Sequence, residues 1–238
     1  MASPSRGNVT DRPTVDEERL RLATVELLGA VTYGQLRAFQ VTAAAIGVAP
    51  DARSADQLAD FAVREHHAYV VLRDHLIAET DLAAAVIDRQ KPVFDAYFDA
   101  VPVDDWRSAC VFFTVGLPIA ADFSRDVAPT LESHTADVVV RALAERAPFE
   151  EWALEQLQAQ MGDEDDVAAV RHLVADMLGR ALTGYQGAMA DTDALQVLLL
   201  QAGEADDDEG EALVRRVAVR VLDNHRRRMH ALGIDDVL

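Results

Sequence analysis

The sequence predicts an all-α protein, and three observations lead to this prediction. Apolar residues recur with the 3.6-residue period of an α-helix along most of the chain. The alternating apolar and polar pattern of half-buried strands, with its hairpin turns, is nearly absent. Apolar residues make up 50% of the chain and aromatic residues only 6%, so the core should consist mainly of Ala, Leu and Val, which suits helix-on-helix packing.

In the N-terminal half, each predicted helix is an apolar stripe bounded by helix-breaking residues. These helices are expected over residues 16–46, 54–79, 81–100 and 104–126. Ser54 is the predicted N-cap of the second helix. Pro92 should break or kink the third helix, and the Ala128-Pro129 pair should stop the fourth.

The C-terminal half continues the same pattern. Helices are expected over residues 130–146, 164–189, 191–202 and 211–232. Pro148 is expected to end the first of them, and the acids of the segment GDEDD favour the start of the second through the helix dipole. The acidic segment EADDDEG at 204–210 is interpreted as a solvated loop, because it lacks the full ligand pattern of a calcium loop.

The chain is predicted to form one domain behind a short tail. Residues 1–14 are polar and lack the apolar segment of a secretory signal, so a disordered tail is expected there. Residues 15–238 contain neither a low-complexity segment nor a fixed-period repeat, and we expect a single helical domain. The only cysteine, Cys110, cannot form an internal disulfide, which fits a reducing compartment and a cytoplasmic location. Cys110 lies on an apolar line and is interpreted as a buried small side chain.

The charge of the chain argues against two classes of partner. Twenty-two basic and 41 acidic residues give a net charge of −19, which repels phosphate backbones and anionic membrane surfaces. No run of about 18 uncharged apolar residues is present, so no membrane span is expected. The basic stretch Arg226, Arg227 and Arg228 could contact RNA phosphates, but pairing with the chain's own acids is the favoured interpretation.

Glu65 is the unusual residue of the second predicted helix. It interrupts the apolar stripe formed by Leu58, Phe61, Ala68, Leu72 and Leu76. The neighbouring His66 and His67 are rotated by about 100° and 200° from it, toward the solvent side. A carboxylate on a buried stripe must be paired, hydrogen-bonded, protonated or bound to a metal.

Three other predicted helices each carry one polar residue on an apolar line: Gln35, Asp122 and His134. Each has an ordinary explanation as well, namely a core amide, a cap or surface acid, and a half-buried histidine. Inward polar groups from four helices are nevertheless how di-iron sites are built in helical bundles. Glu65, Asp122 and His134 are therefore the candidate metal ligands, with Gln35 as a further buried polar residue.

A family resemblance supports this interpretation. The ordered segments LLGAVTYGQLRAF, FAVREHHAYVVLRDHL, VGLPIAADFSRDVA and LESHTADVVVRAL resemble a bacterial branch of the ferritin-like superfamily. That branch is similar to the tRNA hydroxylases that act on an isopentenyl-adenosine modification. The resemblance implies a ferritin-like four-helix bundle, here with additional C-terminal helices, and a di-iron centre.

The resemblance also implies ligands that this chain has replaced. The family pattern would place acids at Gln35 and Leu131 and a histidine at Ala68. The third-helix acid matches either Asp122 or Leu117. Two irons need about six protein ligands, so the set that remains is a remnant at most.

We therefore expect a degenerate di-iron site and a non-catalytic binding or structural module. No cofactor is expected, although a small apolar ligand could lie between the helices. The alternative is an iron- or manganese-dependent hydroxylase or oxidase with an altered ligand set. A scaffold that binds a basic partner through its acidic surface is a further possibility. The Ala- and Leu-rich helix faces favour a homodimer.

Overall fold

The structure, a computed structural model, describes residues 16–99, 103–144, 146–190, 194–201 and 210–235. The predicted tail at 1–14 and almost all of the acidic loop at 204–210 lie outside these residues. All regular secondary structure in the described ranges is helical, which confirms the all-α prediction. The α-helices are, in chain order, α1 (Glu17–Ala45), α2 (Ala52–Glu79), α3 (Ala83–Asp99), α4 (Trp106–Val111), α5 (Leu117–Val127), α6 (Ser133–Ala144), α7 (Ala147–Gln158), α8 (Glu164–Ala190), α9 (Ala194–Gln201) and α10 (Gly210–Leu232).

The four predicted bundle helices correspond to α1, α2, the α4–α5 segment and α6. Helix α1 packs along α2 and also contacts α3 and α9, while α2 contacts α6. Helix α8 lies against α3, and α10 lies against α5. Helices α3, α9 and α10 thus pack against the bundle helices α1 and α5.

The starts of α1 and α2 show how local capping sets the helix bounds. Asp16 caps α1, because its carboxylate accepts a hydrogen bond from the Glu18 amide at 3.3 Å. For α2 the predicted cap Ser54 was wrong. Asp51 is the cap, with its carboxylate accepting from the Ser54 amide at 2.7 Å. Asp51 has extended backbone geometry, which directs its side chain at the open amides of the first turn.

Two prolines that were expected to interrupt or end helices lie within helices. Pro92 lies inside α3, which continues without a break from Ala83 to Asp99. Pro148 was predicted to end a helix, and this prediction was wrong. It lies in the first turn of α7, a helix that the sequence pattern did not predict. A first-turn proline costs no hydrogen bond, because the amide at that position has no intrahelical partner.

A π-helical turn at Phe112–Gly116 joins α4 to α5 immediately before Pro118. The Leu117 amide donates to the carbonyl of Phe112, five residues earlier, instead of to the usual fourth residue. The helix is thus distorted by a wider turn immediately before Pro118. Gly116 is required there, since an added Cβ would lie 2.6 Å from the Phe112 ring and 2.7 Å from the Tyr97 hydroxyl.

Cys110 lies in the core, with no exposed surface, as predicted. Burial raises the pKa of its thiol to about 12. At pH 8 only about one native thiol in 10⁴ is then ionised, and the thiolate is the reactive form. We expect iodoacetamide to leave the native protein unmodified over hours and to label it rapidly in urea. Mass spectrometry measures both, and fast stoichiometric labelling of native protein would contradict the expectation.

Candidate functional site

Helices α1 and α2 bring Gln35 and Glu65 together in the centre of the bundle. The predicted α2 stripe faces inward, and Glu65 on it is only 4% exposed. The α1 stripe likewise buries Gln35, at 3% exposure. Gln35 Nε2 donates to the carboxylate Oε2 of Glu65 and, at 3.2 Å, to its backbone carbonyl. Gln35 and Glu65, the polar residues on two otherwise apolar helix faces, thus satisfy part of each other's hydrogen-bonding capacity.

Arg146, between α6 and α7, supplies the charge that Glu65 needs. Its Nε donates to Oε1 of Glu65 at 3.0 Å, and its Nη2 donates to Oε2 at 2.8 Å. Arg146 is 7% exposed, so the pair lies in the protein interior. This two-point geometry matches the planar guanidinium to the planar carboxylate and is among the strongest side-chain pairings. Glu65 is therefore a buried carboxylate neutralised by a protein cation.

Asp122 is buried as expected, but its hydrogen-bond partners differ from those of Glu65. Its Oδ1 accepts from Arg125 Nη1 at 3.0 Å, and its Oδ2 accepts from Arg228 Nη1 at 2.8 Å. Arg125 also reaches Glu150 at 3.1 Å. These bonds connect α5 to α7 and α10, so Asp122 fastens the C-terminal helix to the bundle. The prediction that Arg228 pairs with an acid of the chain is confirmed.

His134 does not point into the bundle, and its predicted inward position was wrong. The residue is exposed in the first turn of α6, where its ring lies 5.2 Å from that of His75. His75 Nε2 is 3.0 Å from the hydroxyl of Thr135, which takes the inward position instead. His66 and His67 are exposed on α2, as the helical rotation predicted.

The predicted ligands Glu65, Asp122 and His134 are therefore not brought together. Within the described ranges no cluster of three or more His, Cys, Asp or Glu residues has the arrangement of a metal site. Leu117, not Asp122, is the residue of its helix beside Arg146, whose Nη1 lies 3.5 Å from the Leu117 carbonyl oxygen. The residues present do not fit a pair of iron ions. The carboxylate of Glu65 already binds the guanidinium of Arg146, whose charge would repel a metal cation.

A cavity of about 170 Å³ lies beside the Glu65–Arg146 pair. Most of its lining is apolar and comes from α1, α3, α5, α8, α9 and the π-helical turn. Gln35 and Arg146 form a buried polar part of its wall, whereas Glu26 and Gln90 are partly exposed lining residues. Representative apolar lining residues are Val31, Phe94, Phe98, Leu117, Ile119 and Leu195. The site thus combines a mostly apolar lining with a buried polar part in which the charge of Arg146 is balanced by Glu65.

The sequence offered little to identify Arg146. It falls at the end of the predicted helix over 130–146, where a basic residue is usually explained by the helix dipole. The one available signal was the requirement that a buried Glu65 find a partner, in a chain whose only lysine is Lys91. Which of the many arginines would reach it depends on how the helices pack.

Comparison with known proteins supports the fold. Residues 18–202 match a family model described as a ferritin-like domain of actinomycetes. A search of curated proteins gave no match to this chain. Among the described helices, none is both long enough and apolar enough to cross a membrane.

Proposed function

Because the chain belongs to the ferritin-like domain family of actinomycetes, we propose that it is a non-catalytic member that binds a small apolar molecule in a cavity between its helices. The observation that carries this proposal is the 170 Å³ apolar cavity next to the Glu65–Arg146 pair. An engineered apolar cavity of about 150 Å³ in another protein is large enough to take up benzene. A six-membered ring is therefore a reasonable size for the ligand.

The Glu65–Arg146 pair supports a non-catalytic role. The guanidinium provides the positive charge that a metal would otherwise bring to the carboxylate, so the interior is electrically balanced by the protein alone. The alternative, an iron- or manganese-dependent hydroxylase related to the tRNA hydroxylases, needs oxygen and nitrogen donors that converge on one point. Glu65 and Asp122 are bonded to different arginines, and His134 is exposed. The homodimer remains a prediction, which light scattering can test.

Titration with toluene tests the proposal. We expect saturable binding with a dissociation constant of about 1 mM or tighter, measured by ligand-observed NMR and by a rise in melting temperature. Ala120→Leu adds side-chain volume to the cavity lining and should weaken binding at least tenfold. Ala44→Leu makes the same change at an exposed position of α1 and should leave binding unchanged.

Two results would contradict the proposal. One is the absence of saturable toluene binding, or equal binding by Ala120→Leu and the unaltered protein. The other comes from elemental analysis of protein produced with iron and manganese supplied. Near-stoichiometric metal that is lost in Glu65→Ala would favour the hydroxylase instead.

A further inference from the structure

We infer that the molecule bound in this cavity carries one neutral hydroxyl group, placed between Gln35 and Arg146; this rests on the proposed function. The apolar lining selects the body of the ligand, and the polar wall selects its head group. The inference follows from which hydrogen-bonding atoms of that wall are already used.

Gln35 presents an acceptor on the cavity wall. Its Nε2 is committed to the carboxylate and carbonyl oxygens of Glu65, both of which can only accept. The orientation of the amide is thereby fixed, and Oε1 is the atom left over. In the part of the chain that the structure describes, Oε1 of Gln35 accepts no hydrogen bond. An O–H donor on a ligand would fill this position.

Arg146 presents a donor on the same wall. Its Nε and Nη2 are taken by Glu65, but Nη1 has only the Leu117 carbonyl oxygen, at 3.5 Å. That distance is at the outer limit of a hydrogen bond. Nη1 can therefore donate to a ligand oxygen. A hydroxyl both donates and accepts, so a single O–H group can complement Gln35 and Arg146 together.

The charge balance of the wall selects a neutral head group over an anionic one. The guanidinium of Arg146 is already matched by the carboxylate of Glu65 at 2.8 Å. A ligand carboxylate would bring a second negative charge into a buried site that has one cation. Burying such a charge costs more than the extra hydrogen bond returns. The ligand class is thus a small apolar alcohol.

Three ligands with the same ring separate these contributions: cyclohexanol, methylcyclohexane and cyclohexanecarboxylate. Gln35→Met should weaken cyclohexanol binding by about 3- to 10-fold relative to methylcyclohexane, the usual range for one lost hydrogen bond. Gln40→Met, the same substitution at an exposed position of α1, should leave both affinities unchanged. The quantity compared between proteins is the ratio of the affinities for cyclohexanol and methylcyclohexane, because a lower stability of Gln35→Met affects the binding of both ligands alike.

The outcomes distinguish this inference from the proposed function. If methylcyclohexane binds but Gln35→Met changes both affinities equally, the hydroxyl inference is overturned while the cavity proposal stands. If neither ring binds the unaltered protein, the cavity proposal fails first. If Gln35→Met does not fold, the inference is tested on the unaltered protein alone. There, cyclohexanol must bind at least tenfold more tightly than cyclohexanecarboxylate, and equal or tighter binding of the carboxylate overturns the inference.

Discussion

Replacement of Arg146 by methionine is expected to lower the free energy of unfolding by about 3–5 kcal/mol. The substitution removes the cation while Glu65 stays buried with its carboxylate bonded only to Gln35. An uncompensated charge in the interior costs far more than the net contribution of the intact pair, because desolvation is no longer offset. Urea unfolding followed by circular dichroism measures the change, and the slope with urea should stay constant.

A double variant and a surface variant provide the controls. The double variant Glu65→Leu/Arg146→Met lacks both charges. Its free energy of unfolding should therefore fall clearly less than that of Arg146→Met alone. Arg21→Met breaks an exposed pair with Glu18 on α1 and should leave the unfolding midpoint unchanged. If Arg146→Met were as stable as Arg21→Met, or the double variant were the least stable, the buried pair would not have the role assigned to it.

Phe149→Ala should have a similarly large effect, a loss of about 3–5 kcal/mol. Phe149 is 3% exposed and anchors α7, the helix that follows Arg146. Its ring stacks on Phe61 of α2 at 4.3 Å and lies 4.9 Å from the ring of Phe113 in the π-helical turn. Truncation removes these contacts and leaves a cavity that rigid helices can only partly close.

The matched comparison for Phe149→Ala is Ile77→Ala, a large-to-small change at a position that is 55% exposed. It should change stability by no more than about 0.5 kcal/mol. Phe149→Leu, which keeps most of the apolar volume, should fall between the two. A loss below about 1 kcal/mol for Phe149→Ala would mean that α7 is not held through this cluster.

The helices and their inward faces were predictable because each depends on residues close together in the sequence. The stripes that bury Glu65 and Gln35 repeat every three or four residues, and the rotation that exposes His66 and His67 follows from the same geometry. The interpretation of Cys110 as a core residue rests on the same kind of local apolar pattern.

The predictions that failed concern helix ends and partners. Pro148 can end one helix or begin the next, and the pattern alone did not show that α7 follows it. His134 was placed on an apolar line, but the first turn of α6 buries the next residue, Thr135, and leaves His134 exposed. Asp122 was correctly placed as buried, yet its partner Arg228 comes from the C-terminal helix.

Local sequence pattern was therefore sufficient for the all-α class, for most helices and for two polar residues on inward faces, since backbone hydrogen bonds and apolar periodicity act over a few residues. What neutralises Glu65 was settled by tertiary packing, because Arg146 is 81 positions away and reaches it only when α2 and the α6–α7 junction meet. The cavity has the same origin, as its walls come from helices spread along the chain. A buried carboxylate must be paired or hydrogen-bonded, and the packing of the helices determines which residue does this.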